Sequence, residues 1–418
     1  MYDILLRNAR IPGRNGLSDI AISGETIQAV GTGLPTTALE VCDLDGGVVI
    51  PGLVETHIHL DKAFLEKKLP NRSGTLQEAI TNTGILKKQY TFDDVYDRAR
   101  KAVLMAITHG TSVLRAHVEV DPIAGLLNME VVSSLRREFS ECIDIQLVVF
   151  PQEGIFKSPG TVELMGEAIA FGVDAVGGVP YNDRDYKEHT DFVFKLAKEY
   201  DLDLDLHVDF SDNPADRTVE YIAERAIAEK YHGRVAVDHL TSLGSIPAAE
   251  AAGIIAMIAE AGIHVVTLPS TDLYLNGRQD TVSVRRGLTR VKELVAAGVN
   301  VVLGSNNIRN AFTPFGLADP LQIGLLLANS AHMGTLAEQA QVLDMCTYAA
   351  ARMLKVKNYG LKPGCLADLV VLDTRDPDDI LIDQPLRRMV LKRGKPILRQ
   401  RAEVEQAHQL LRAGRSPA

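Results

Sequence analysis

The 418-residue chain has no tryptophan and only four cysteines, Cys42, Cys142, Cys346 and Cys365. These are scattered, with no C-x-x-C pair. That excludes a zinc knuckle and a disulfide framework, and it fits free thiols in a reducing compartment. Basic residues form no block and the net charge is −10, so no nucleic-acid partner is expected. No apolar run reaches membrane-spanning length. The opening Met1-Tyr2-Asp3-Ile4 lacks the basic-then-apolar order of a signal peptide. The expectation is a soluble cytoplasmic protein without a membrane partner. No G-x-G-x-x-G follows an early strand, which counts against a dinucleotide-binding doubly wound sheet.

What remains is an ordinary globular balance, 46% hydrophobic and 23% charged, in a chain long enough for one large domain and a smaller one. Short β-like runs occupy the first fifty residues and return near the C-terminus at 367–372, 389–392 and 395–398. Between them apolar strand candidates at 48–56, 111–118, 143–150, 173–179, 202–208, 234–237, 264–268 and 299–303 alternate with helical stretches such as 92–108, 191–200 and 248–261. Eight strand–helix units predict an α/β fold, a (β/α)8 TIM barrel, over 51–355. A small β-sandwich is expected from both termini, 1–50 with 356–402, and a helix or tail from 403–418.

A barrel collects its chemistry at the C-terminal ends of its strands. Strand one delivers His57 and His59, spaced i, i+2 and therefore on one face. Strand three ends at Gln152, strand five at His207 and Asp209, strand six at His239, strand seven at Asp272 and strand eight at Asn306 and Asn307. Each histidine alone has an ordinary reading, a satisfied core imidazole or a surface pair. Convergence at one barrel end favours a metal centre, since neutral imidazole suits zinc or iron.

Pro51-Gly52-Leu53-Val54-Glu55-Thr56-His57-Ile58-His59, His207, His239 and the late Gly364-Cys365-Leu366-Ala367-Asp368-Leu369-Val370-Val371-Leu372 resemble the amidohydrolase superfamily. The stretches Arg115-Ala116-His117-Val118, Phe150-Pro151-Gln152-Glu153-Gly154-Ile155 and Arg285 to Glu293 are most similar to its cytosine deaminase and N-isopropylammelide amidohydrolase group. The resemblance covers nearly the whole chain and implies a metal-dependent hydrolase of C–N bonds in cyclic amidines or nitrogen heterocycles, oligomeric like its relatives. It implies His57, His59 and His207 as metal ligands, His239 as the residue facing the attacking oxygen, and Gln152 as the residue that orients the ring. No lysine ends strand four, where binuclear members carry one, so a single divalent ion, zinc or iron, is expected.

Two departures stand out. The strand-eight aspartate of the family, a metal ligand and proton acceptor, is Asn306, and the strand-five glutamate of cytosine deaminase is Phe210. An amide can coordinate a metal weakly through its oxygen, so Asn306 is expected beside the three histidines as a metal ligand, but an amide is no base near neutral pH. Asp209, on the strand face of His207, and Asp272 are the substitutes expected to move a proton; Phe210 and Asn307 are expected to contact the substrate. The alternative is a catalytically impaired paralogue that binds a heterocycle or metal without turnover.

Overall fold

The computed structural model describes residues 1–401, so the helix or tail expected over 403–418 lies outside the described residues. Strands β1 (Tyr2–Ala9), β2 (Ser18–Ser23), β3 (Thr26–Gly31) and β4 (Ala38–Asp43) form a sheet of order β3-β2-β1-β4. β1 runs antiparallel to β2 and parallel to β4. The next apolar run, expected as one strand over 48–56, is two: β5 (Val48–Pro51) and β6 (Leu53–Ile58). The break falls at Gly52, where a Cβ would lie 2.4 Å from Ser112 Oγ. Only a glycine lets the chain pass that closely from one sheet into another.

β6 opens the barrel. It is followed by β7 (Thr111–Glu119), β8 (Asp144–Phe150), β9 (Ala175–Gly178), β10 (Asp203–Val208), β11 (Val235–His239), β12 (His264–Thr267) and β13 (Val301–Leu303), adjacent in that order and parallel throughout. An Ile58–Asn306 bridge closes the ring. Across it Asn306 N donates to His57 O and His59 N to Asn306 O, both at 2.8 Å. Gly304 is required at this seam, because a Cβ there would meet His57 Cβ at 2.9 Å. Helices pack outside with apolar residues at three- and four-residue spacing. Phe92–Thr108, capped by Thr91, buries Val95, Ala99, Ala102, Val103 and Ala106.

The chain then returns through β14 (Leu369–Leu372), β15 (Arg387–Lys392) and β16 (Lys395–Arg399), which join β5 in the order β16-β15-β14-β5. This sheet and the N-terminal one share a core of Ile4, Leu6, Ile20, Ile22, Val49, Leu369, Val371 and Leu391. The architecture is an α/β barrel with extra sheets drawn from both ends of the chain. No described helix is long and apolar enough to cross a membrane.

Candidate active site

Strand alternation aims His57 inward, and the turn after β6 brings His59 beside it. Their Nε2 atoms lie 3.3 Å apart, and His59 Nε2 is 3.2 Å from Nε2 of His207 at the end of β10. All three rings are buried. Burial, joined by neighbouring imidazoles and, at His59, by Lys62, pushes all three pKa values well below the ordinary histidine range. Neutral imidazoles with converging Nε2 atoms are the protonation state that metal binding requires. A tetrahedral ion with bonds of about 2.0–2.1 Å separates its nitrogens by about 3.4 Å, so these residues fit a divalent ion.

Behind them stands Asp238 at the end of β11, its Oδ2 3.1 Å from His57 Nδ1 and 3.3 Å from His207 Nδ1. His117 from β7 stacks on His57 at 3.8 Å, with Nε2 3.2 Å from Asp205 Oδ1 and 3.6 Å from Asp238 Oδ2. His57, His117, His207 and Asp238 thus each offer a ligand atom within 4.8 Å of one another. The two groupings share His57 and His207. Of the Nε2 grouping His59 and His207 line the cavity, whereas His117 and Asp238 lie on the Nδ1 side, where a carboxylate orients ligating rings. Burial and then Asp205 push the Asp238 carboxyl well above the ordinary range.

Asn306 reaches the site through a directed series of amides. Asn310 Nδ2 donates to Asn307 Oδ1 at 2.7 Å, and Asn307 Nδ2 to Asn306 Oδ1 at 2.8 Å. Asn306 Nδ2 stands 3.5 Å from His239 Nε2, the outer limit of a hydrogen bond. His239 Nδ1 in turn lies 2.6 Å from Asp272 Oδ1, and Asp272 Oδ2 accepts from Leu268 N at 3.1 Å. The series runs one way. The short contact to Asp272 Oδ1 makes Nδ1 the donor nitrogen of His239, which leaves the Nε2 lone pair facing Asn306 Nδ2 at the cavity wall. Burial raises the Asp272 carboxyl, against the pull of His239. Asp272 acts behind His239, not in the cavity wall.

Asp209 is placed differently from expectation. Its φ of +49° turns it off the strand course. Its Oδ1 accepts Thr218 N at 2.9 Å and its Oδ2 Val219 N at 3.1 Å, the first residues of helix Thr218–Ala228. Both oxygens are committed to that helix, and the carboxylate is absent from the cavity wall. Strand alternation breaks at a left-handed residue, and the inference from i, i+2 spacing breaks with it.

The remaining residues line one small cavity. Phe210 stacks on His239 with centroids 3.9 Å apart and an angle of 19°. Phe312, Leu76 and Ile80 supply further apolar wall. Gln152 is fixed through its backbone, since Asn182 Nδ2 donates to its carbonyl at 2.7 Å. Next along, the Asp183 carboxylate gathers the N–H groups of Ile155, Phe156 and Lys157 and the His189 Nδ1–H. Asn307 spends both amide protons inside the protein, on Asn306 Oδ1 and on Thr271 Oγ1 at 3.2 Å.

Sequence reading missed Lys62. It is 1% exposed, and its Nζ lies 2.8 Å from Glu119 Oε1 and 2.9 Å from Gln152 Oε1. Lys87 holds the other Glu119 oxygen at 2.8 Å together with Asp121 and Glu153. Against burial, which raises it, Lys62 and Lys87 bring the Glu119 carboxyl down to about 2. The period-two series Arg115, His117, Glu119 on β7 carried a signal for this inner ring, as did Asp205 two residues before His207.

Residues 137–398 match the Amidohydrolase family. The chain is 31% identical to N-isopropylammelide isopropyl amidohydrolase of Pseudomonas sp. (strain ADP) over 406 residues, 95% of this chain and 98% of that one. It is 28% identical to pterin deaminase of Rhizobium rhizogenes, covering 92% and 89% of the two chains. The structure of 5-methylcytosine deaminase from Klebsiella pneumoniae with 5-fluorocytosine superposes with a TM-score of 0.92 at 31% identity, over 96% and 99% of the chains. These relatives are hydrolases and deaminases acting at C–N bonds of heterocycles. The chain belongs to the amidohydrolase family.

Proposed function

We propose that this protein is a hydrolase holding one divalent ion, zinc or iron, that replaces an amino or alkylamino group on a nitrogen heterocycle by oxygen. The observation that carries the proposal is the convergence of the Nε2 atoms of three buried, neutral histidines, His57, His59 and His207, of which His59 and His207 line a cavity walled also by Gln152, Phe210 and Phe312. Asn306 stands where a fourth ligand is expected, and its carboxamide oxygen would be a weak one. A divalent ion bound there lowers the pKa of water toward neutrality and polarises the bond under attack.

The protein's own residues then have defined tasks. Phe210 and Phe312 exclude water and flank the ring. Gln152 orients the ring by its amide. His239 Nε2 takes the proton of the attacking water while Asp272 holds Nδ1 and stabilises the imidazolium. As the water oxygen bonds to the ring carbon and the C–N bond breaks, His239 returns that proton to the departing nitrogen, and the ring keeps the oxygen. Asp272 thus assists through His239, and Asp209 has no part. We further propose a cytoplasmic homo-oligomer, in line with the scattered thiols and the resemblance to oligomeric relatives.

A second reading, a barrel that binds a heterocycle without turnover, is supported by one observation: among the described residues no carboxylate lines the cavity. The test separates the two. Protein loaded with zinc, and separately with iron(II), is assayed for ammonia or amine release from pyrimidines, purines, pterins and triazines. Release from at least one class is expected, with loss in His239→Ala. No release from any class by fully loaded protein rejects the hydrolase reading in favour of the binding barrel.

A further inference from the structure

The cavity beside the histidines has a volume of about 20 Å³, room for one water molecule and none for a ring. A ring can enter only if part of the wall moves. Leu76 and Ile80 of helix Leu76–Lys87 supply one side of that wall, against Phe210, Phe312 and Tyr181. This helix is weakly held. Its buried residues are Ala79, Asn82, Thr83 and Lys87, a face with little apolar area, whereas the next helix, Phe92–Thr108, buries Val95, Val103 and Ile107. Gly84 weakens its interior further. Its two ends differ. At the C-terminal end the buried Lys87 Nζ lies 2.8 Å from Glu119, 2.7 Å from Asp121 and 3.0 Å from Glu153. The N-terminal end is tied across the cavity to the loops that follow β12 and β13. The Arg278 guanidinium lies 4.8 Å from the centroid of the Tyr274 ring and rests on Gly74, where a Cβ would meet it at 2.4 Å. Asn71 Nδ2 donates to Ala311 O at 2.9 Å.

We infer that helix Leu76–Lys87 is a gate. Its first turns, which carry Leu76 and Ile80, unwind from Gly74 toward the Lys87 anchor to admit a ring, and re-form over it. Packing sets the direction. Three carboxylates pin the last residue, whereas the first turns stand over the cavity and gain further apolar contact when a ring fills it. Segments that bury few apolar side chains open at the lowest free energy, and closure over a bound ring excludes water from the reaction. Arg278, seated on Gly74 and stacked on Tyr274, is the clasp. The gate controls entry for a hydrolase and for a binding barrel alike, so it stands apart from the choice between them.

The test reads access to His239, which lines the cavity, is 1% exposed and is not among the three converging ligands. Full-length protein as purified is treated with diethyl pyrocarbonate, and mass spectrometry compares ethoxycarbonylation of His239 with that of the exposed His332. Hydrogen exchange is followed in parallel for Leu76–Lys87, with Phe92–Thr108 as the control. His239 should react at least about tenfold more slowly than His332. Arg278→Ala removes the clasp and should raise both His239 labelling and exchange of the gate helix about threefold or more. Gly84→Ala has open space for its methyl group. It strengthens the helix and should lower both readouts about fourfold. The control helix should exchange alike in all three proteins. Opposite shifts from two substitutions outside the cavity are what a gate gives and a fixed wall does not. His239 labelling that fails to shift in either variant, or that does not follow exchange of the gate helix, overturns the inference. So does exchange of Leu76–Lys87 as slow as that of Phe92–Thr108 in the unaltered protein.

Discussion

At position 306 one atom changes the direction of a hydrogen-bond series. A carboxylate there would accept from His239 Nε2 and hold its proton in place. The carboxamide donates instead, 3.5 Å away, and leaves Nε2 with a lone pair. Relative to a carboxylate, the amide takes a charged oxygen away from the three histidines and leaves a lone pair on His239 Nε2. Asn306→Asp should therefore have two separable effects. Zinc retention under chelator competition should rise, because a charged oxygen joins His57, His59 and His207. Amine release, per zinc bound, should change by roughly 10²-fold or more, since the general base moves from His239 to the new carboxylate. Competition with a fluorescent chelator reads the first and single-turnover release reads the second. Retention equal to that of the unaltered protein would show that residue 306 does not face the ion. The histidines at issue were legible in the sequence, because strand ends and alternation place them. Lys62 was not. Its role depends on Glu119 and Gln152, 57 and 90 residues away, meeting across the barrel. Nothing in local spacing reports such a meeting.

Among the elements, the strand–helix rhythm was legible because a parallel barrel buries each strand on both faces and each helix on one. The junctions were not. Gly52 divides one apolar run between two sheets, and the +49° φ of Asp209 ends the alternation of β10 one residue after the strand. Both are backbone events with little trace in hydrophobic pattern. The placement of Asp209 makes it an anchor for helix Thr218–Ala228. Burial raises its carboxyl to about 6, against the two N–H groups that it accepts. Asp209→Ala leaves those two buried donors unpaired, so it should lower unfolding free energy by roughly 1–3 kcal/mol. Zinc stoichiometry in the folded variant should stay unchanged. Urea denaturation and elemental analysis measure the two. Undiminished stability with lost turnover would instead place the carboxylate in the chemistry.

For the molecule as a whole, the seam between β6 and β13 is where the barrel closes, and a buried acid holds it. Glu55 Oε2 pairs with Ser305 Oγ at 2.6 Å, and Oε1 accepts Ser305 N at 2.9 Å and His57 N at 3.1 Å. Burial outweighs these hydrogen bonds and lifts its carboxyl from 4.5 to about 7. The folded chain thus binds this proton more tightly than the unfolded one. The stability that follows is fully present below about pH 4.5 and is lost as pH rises through about 7, an effect on the order of 3 kcal/mol at full ionisation. Glu55→Gln reproduces the protonated acid: its oxygen keeps the two N–H bonds and its amide donates to Ser305 Oγ. The substitution should leave stability nearly unchanged at pH 5 and raise it at pH 8, flattening the profile between. Urea unfolding of chelator-treated protein across that range measures the difference. A variant less stable than the parent at pH 8 would show that the seam prefers the ionised acid, and that its hydrogen bonds from Ser305 and His57 outweigh burial.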